Sequence, residues 1–377
     1  MTALDSVIWS CNHSPISIDN VWPTLPRCQS LKEVQITDNL VFASNNVDVE
    51  EDASRKPRPP VLRELKTVGL HSTKHTYGAT RNPDLSRISA MLSNCPNLEV
   101  LDIGYTARQM AGYFNPVADD FLLCGRWPNL RSLTLTNLWC TPHAGFDASA
   151  AFLYAHANLE VLHLDIAFGT ADAGRAHMPF VFPPNCLPRL REVKASKELV
   201  GAILQSPCDA PGGRPLEIIK GVRLSGSSWD HVFLANLKRY GVNTVRRLEL
   251  VGWNEMEDAR RAWCPYCHRT RQWEQASIDC RRQCHGVGTL LANMPELTTF
   301  HGVRFFYEVS SVSVDPSGPI SLSDRSRVRK NDEVASVLAW KCSKLRRLDH
   351  WEESSGKVIV LLRDSEKVRY EVRRIKA

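Results

Sequence analysis

The sequence predicts an α/β solenoid, in which about ten irregular strand-and-helix units stack with a parallel sheet on the concave face and a strand pair closes the carboxyl-terminal end. Three observations predict it: a phrase that recurs along the chain, a near-constant step between its copies, and helical spacing of apolar residues between them.

The phrase is a Pro or polar residue, a pivot Leu, two variable residues, and two apolar residues separated by one. Its clearest copies are Pro96-Asn97-Leu98-Glu99-Val100-Leu101-Asp102-Ile103, Pro128-Asn129-Leu130-Arg131-Ser132-Leu133-Thr134-Leu135 and Ala157-Asn158-Leu159-Glu160-Val161-Leu162-His163-Leu164. Looser copies pivot on Leu31, Leu62, Leu190, Leu216, Val245, Leu297 and Leu345. The steps between successive pivots are 31, 36, 32, 29, 31, 26, 29, 52 and 48 residues. An apolar-x-apolar alternation is a short strand with one face buried, and the pivot three residues earlier points into the same core. Leu85, Ile88 and Leu92 have helical spacing, as do Phe152 with Leu153, then Phe233, Leu234 and Leu237, then Val334, Val337 and Leu338. Asn331-Asp332 supplies capping residues for the last of these, and Gly241 is placed to end the helix holding Leu237. Units that cannot bury an apolar side alone must stack. The whole of 1–377 therefore reads as a single irregular solenoid; the other arrangement these elements allow is an ordinary α/β domain.

Composition is compatible with this. Hydrophobic residues are 43% and charged residues 23% of 377, enough to bury a core along most of the chain. Lys plus Arg is 47 and Asp plus Glu 41, a net charge of +6 that is weak when spread over this length. A nucleic-acid binder usually shows a sharper, clustered excess. The amino-terminal residues lack a basic segment followed by an apolar run, and no apolar stretch approaches the length of a membrane span. Most of the twelve cysteines stand singly within repeats, as Cys28, Cys95, Cys140 and Cys342 do, and read as small core residues that remain free thiols in a reducing compartment, the cytoplasm or nucleus. The chain has no glycine-rich phosphate loop, no G-x-S-x-G elbow and no H-E-x-x-H, so no enzyme is expected.

The phrases Cys-Pro-Asn-Leu-Glu-Val-Leu-Asp-Ile at 95–103 and Cys-Ser-Lys-Leu-Arg-Arg-Leu-Asp at 342–349 resemble the repeats of fungal F-box and leucine-rich-repeat proteins. The tail is similar too: residues 356–363 and 366–372 form a strand pair turning near Asp364-Ser365. In that family an F-box holds the linker subunit of a cullin ubiquitin ligase and the repeats choose the substrate. The resemblance implies a protein ligand, cullin ligase subunits as partners, and a substrate-recognition or scaffold role. It covers the repeats only; Leu25-Pro26 leads straight into the first phrase, and no F-box is recognisable.

The long step from Val245 to Leu297 contains a cysteine-rich insert, 254–286, in which Cys264, Cys267, Cys280 and Cys284 have the spacing C-x2-C-x12-C-x3-C. That is the ligand spacing of a zinc finger with cysteines in place of histidines, and four thiolates close a tetrahedral shell, with His268 or His285 able to replace one. The expectation is one structural zinc; the other reading is four free thiols in a charged loop. Residues 46–60 and 312–331 read as flexible loops. Arg325, Arg327, Arg329 and Lys330 in the second are a basic docking patch or a solvated linker. Together with the insert they allow a second function, association with nucleic acid or chromatin.

If Leu101, Leu133, Leu162, Val193 and Leu248 point inward, then Asp102, Thr134, His163, Lys194 and Glu249 point out on the concave face. This mixed polar ladder suits a protein surface better than a uniform polyanion.

Overall fold

Each leucine or valine that the sequence marks as a pivot lies in the core of the computed structural model: Leu31, Leu62, Leu98, Leu130, Leu159, Leu190, Leu216, Val245, Leu297 and Leu345 are all buried. The structure describes residues 4–10, 21–43, 61–74, 82–106, 114–168, 181–210, 213–224, 228–251, 293–301, 322, 325–326, 329, 342–349, 357–363 and 368–374. The chain is an α/β fold with a mostly parallel open sheet, divided into two compact units, Met1–Arg191 with Ser206–Pro215 and Glu192–Gln205 with Leu216–Ala377.

The first unit holds strands β1 (Ser6–Ser10), β2 (Glu33–Thr37), β3 (Thr67–His71), β4 (Val100–Gly104), β5 (Ser132–Cys140) and β6 (Val161–Phe168), each parallel to the next in chain order. The helices α1 (Ser86–Leu92), α2 (Asp119–Cys124) and α3 (Ala144–Ala155) lie between strands in the chain. They bury the residues whose spacing predicts them: Ile88 and Leu92 in α1, and Phe152 with Leu153 in α3. The second unit holds β7 (Glu192–Lys194), β8 (Ile218–Arg223), β9 (Arg247–Val251), β10 (Thr299–His301) and β11 (Arg347–Asp349) in parallel, then β12 (Lys357–Arg363) and β13 (Val368–Arg374) in antiparallel pairing. Helices α4 (Lys197–Gln205) and α5 (Ser228–Asn236) belong to it.

Backbone hydrogen bonds explain the conserved shape of each phrase along this chain. The residue after a pivot offers its carbonyl to two N–H groups of the next unit, as Lys66 does to Glu99 and Val100, Glu99 to Arg131 and Ser132, and Arg131 to Glu160 and Val161. The Asn before a pivot satisfies a neighbouring turn. Asn97 donates to the Arg63 carbonyl at 2.9 Å, Asn158 to the Pro128 carbonyl at 2.9 Å, and Asn129 to Asn97 Oδ1 at 3.3 Å. The residue three before the pivot closes the turn and is buried as Cys95, Trp127, His156, Leu187, Met294 or Cys342. Cys140 is buried at a strand end, whereas Cys28 is only half-buried.

Two expectations change in detail. The second phrase pivots on Leu65 and not on Leu62. Val68 stands in register with Val34 and Leu101, which places the pivot three residues before it. Leu62 is buried in the preceding turn, where its N–H donates to the Asn94 carbonyl at 2.9 Å. The first steps are then 34 and 33 residues rather than 31 and 36. Gly241 does end the helical segment holding Leu237, which continues α5 as a π-turn over Leu237–Gly241. It does so without a left-handed cap, since its φ is not positive; a Cβ there would meet Leu237 Cδ1 at 2.7 Å and Val245 Cγ2 at 3.1 Å. Close packing of neighbouring side chains, not backbone freedom, favours glycine here.

The residues 46–60, the insert 254–286, and Val334, Val337 and Leu338 lie outside the described residues. Of 312–331 only Leu322, Arg325, Ser326 and Arg329 are described, all in helical backbone.

Candidate functional site

Strand alternation divides each unit's sheet into a buried face and an outward one. Leu101, Leu133, Leu162, Val193 and Leu248 are completely buried, so Asp102, Thr134, His163, Lys194 and Glu249 occupy the opposite side of their strands. Asp102, Thr134 and His163 form one row of the first unit, since Asp102 pairs in register with Thr134 and Thr134 with His163. The next row runs His71, Gly104, Thr136, Asp165.

The two rows meet at His71 and Asp102. His71 Nε2 lies 3.5 Å from Asp102 Oδ2, with both side chains partly exposed. The imidazole reaches across because Gly104 has no side chain: a Cβ there would stand 2.6 Å from His71 Nδ1. Burial pushes the Asp102 carboxyl above the usual aspartate range, and positive charge on His71 or His163 acts in the opposite direction. Three rows across β1–β6 give eighteen outward positions, of which Glu33, Asp102 and Asp165 are carboxylates, seven are Ser or Thr, and none is Lys or Arg.

Lys194 and Glu249 belong to the second unit and have different surroundings. Lys194 pairs in register with Lys220, whose Nζ lies 2.5 Å from Glu192 Oε1. Glu249 accepts a hydrogen bond from Arg247 Nε at 2.9 Å and stands in register with His301. This face therefore carries both signs, where that of the first unit is acidic and hydroxyl-rich.

Sequence reasoning missed His71 because the pivot at Leu62 puts the second strand out of phase. Counting from Leu65 places Gly69 and His71 on the outward face at once. Asp165 follows from the same alternation extended by one outward position, and Lys220 and His301 stand at the same place in their phrases as Asp102.

Buried titratable groups serve packing. Burial pushes the thiols of Cys95 and Cys140 up to about 12 and that of Cys186 to about 11, which favours the protonated thiol at neutral pH. His156 stands where other units have Cys or Leu, with Nε2 accepting from the Trp127 N–H at 3.0 Å and Nδ1 2.7 Å from the Phe152 carbonyl. The first bond requires a lone pair on Nε2, so Nδ1 carries the proton and the ring is neutral. Burial lowers its pKa below the ordinary 6.5. The folded state then resists protonation that the unfolded chain accepts, so this contribution is complete above pH 6.5 and is lost as pH falls below it. Urea midpoints measured at pH 7.5 and 5.5 are expected to fall further in the wild type than in His156→Gln. Equal falls would sink this role for the ring.

Among the described residues no group of three or more His, Cys, Asp or Glu is placed to hold a metal ion. Cys264, Cys267, Cys280 and Cys284 lie outside the described residues. No described helix is long and apolar enough to cross a membrane. In comparison with known proteins, no family model and no curated protein matches the chain.

Proposed function

We propose that the chain is a protein-interaction module: a leucine-rich-repeat-like solenoid that recognises a protein ligand as a substrate-recognition or scaffold subunit, similar in role to the F-box/leucine-rich-repeat subunits of cullin ubiquitin ligases. The observation that carries this reading is the outward row Asp102–Thr134–His163 with His71 across it, held on strands whose inward neighbours are completely buried. Such a face is fixed before any ligand arrives, so little ordering cost attends binding. Its hydroxyls and carboxylates, with no Lys or Arg, favour the varied donors and cations of a protein surface over a phosphate backbone.

The test is affinity purification of the full chain with mass spectrometry, run in parallel on Asp102→Lys/His163→Glu. Partners that disappear with the double variant, and persist when the exposed Lys238 of the π-turn is changed instead, support the reading. Recovery of a cullin ligase linker supports the ubiquitin role. Partners that all vanish on nuclease treatment overturn it in favour of nucleic-acid or chromatin association. The spacing of Cys264, Cys267, Cys280 and Cys284 supports about one structural zinc per chain, and metal analysis of reduced, never-chelated protein is expected to return it. A zinc-free result removes the metal and leaves the binding face untouched.

A further inference from the structure

Beyond its polar rows the sheet of the first unit turns apolar. Strand β5 carries one extra residue, Asn137, at which its register with β6 shifts between Thr136 and Leu138. Asn137 has a left-handed φ of 58°, which asparagine tolerates, and its side chain donates to the Tyr105 carbonyl at 2.8 Å. This bulge lets the strand run on. Leu138 and Cys140 are again completely buried, so Trp139 between them points outward. Strand β4 has ended at Gly104 by then, and residues 116–118 take its place beside β5. The Trp139 N–H donates to the Pro116 carbonyl at 3.0 Å, and its carbonyl accepts from the Ala118 N–H at 2.8 Å. Val117 is thereby bridged to Trp139, and Ala167 of β6 stands in register on the other side. The row Val117–Trp139–Ala167 thus continues the outward face without a charge or a hydroxyl. Val117 is 44% exposed, Ala167 is exposed and Trp139 is half-buried. The adjoining row holds Thr136 with the exposed carboxylate of Asp165, and the row after that Asp102, Thr134 and His163.

We propose that the Trp139 row and the carboxylate of Asp165 bind an extended protein segment in which a bulky apolar side chain stands two residues from a Lys or Arg. This specificity presupposes that the outward face of the first unit binds protein, and it narrows the ligand. Alternate side chains of an extended chain lie about 7 Å apart on one side, the same separation as Ala167 and Asp165, which are alternate residues of β6. A ligand's apolar residue seated on Trp139 therefore brings its neighbour but one to the carboxylate. A half-buried tryptophan among small apolar neighbours is the kind of anchor that dominates binding at protein interfaces. The cation has to come from the ligand, because the three polar rows contain carboxylates but no Lys or Arg. An acidic segment or a phosphate backbone would meet Asp165 with like charge.

The test is selection of a random phage-displayed peptide library on the immobilised full chain, followed by fluorescence anisotropy with an enriched peptide. Enrichment of peptides with an apolar residue two positions from Lys or Arg is expected. Trp139→Thr and Asp165→Lys are each expected to weaken binding of such a peptide about tenfold or more. Changing the peptide's Lys or Arg to Glu is expected to restore binding to Asp165→Lys, which a merely structural role for Asp165 would not produce. Asp165 is exposed, so that variant carries the test if Trp139→Thr fails to fold. No enrichment, enriched peptides without the cation, or binding that Asp165→Lys leaves unchanged overturns the assignment. If such peptides are nonetheless lost with Asp102→Lys/His163→Glu, the protein-interaction reading stands and only this specificity falls. Binding indifferent to every one of these variants removes the face itself as the binding surface.

Discussion

Phe152→Ala is expected to lower the stability of the first unit by about 3–5 kcal/mol, the cost of a large cavity in a core that cannot collapse around it. Phe152 is completely buried in α3 and belongs to an aromatic cluster. Its ring stacks on His156 with centroids 4.0 Å apart and meets the Trp127 ring edge-on at 6.3 Å, while Trp127 packs against Phe121 at 5.6 Å. The cluster joins α2, α3 and the turns before β5 and β6, so one deletion loosens two units of the stack. Phe152→Leu retains most of the volume and is expected to cost about 1–2 kcal/mol. Urea unfolding followed by fluorescence, with hydrogen exchange read on β5 and β6, separates these values. A loss below about 1 kcal/mol for the alanine variant would mean the cluster is not packed as described.

The second large effect sits between α4 and α5. Lys197 Nζ lies 2.5 Å from Asp230 Oδ1, and both side chains are almost completely buried. Asp230 is in the first turn of α5, where the helix dipole also favours a carboxylate. Lys197→Met removes the ammonium that this carboxylate faces and is expected to cost about 3–5 kcal/mol. Lys197→Met/Asp230→Leu removes both charges and is expected to recover most of that loss, because two desolvation costs disappear with the attraction. Thermal melts of the two single variants and the double variant form a cycle; additive effects would show that the pair does not couple.

The sequence was most legible where one residue answers to one environment. The pivots and their inward partners are apolar for a reason local to each phrase, and alternation alone put Asp102, Thr134 and His163 on one face. It was least legible where a residue answers to a neighbour some thirty positions away. Nothing in Pro-Asn-Leu or Ala-Asn-Leu reveals that Asn97 caps Arg63 or that Asn158 caps Pro128, since the partner is a backbone carbonyl with no sequence signature. The approach of His71 to Asp102 depends on a glycine in the adjacent strand and on a pivot three residues from the more obvious leucine. Burial of His156 runs against the usual preference of a polar ring, and becomes intelligible only when both nitrogens are seen to be satisfied.

The residue after most pivots also carries a charge. Lys66 meets Glu99 at 2.9 Å, Arg131 meets Glu160 at 4.0 Å, and in the second unit Arg246 meets Glu217 at 3.8 Å. From Lys66 to Glu160 the sign changes at every step. That alternation gives the stack a parity. Loss of the single unit carrying Glu99 would set Lys66 beside Arg131, whereas loss of the two carrying Glu99 and Arg131 would set it beside Glu160 and keep opposite charges adjacent. Within this stretch a change of one unit therefore brings like charges together along the seam, and a change of two keeps opposite charges adjacent.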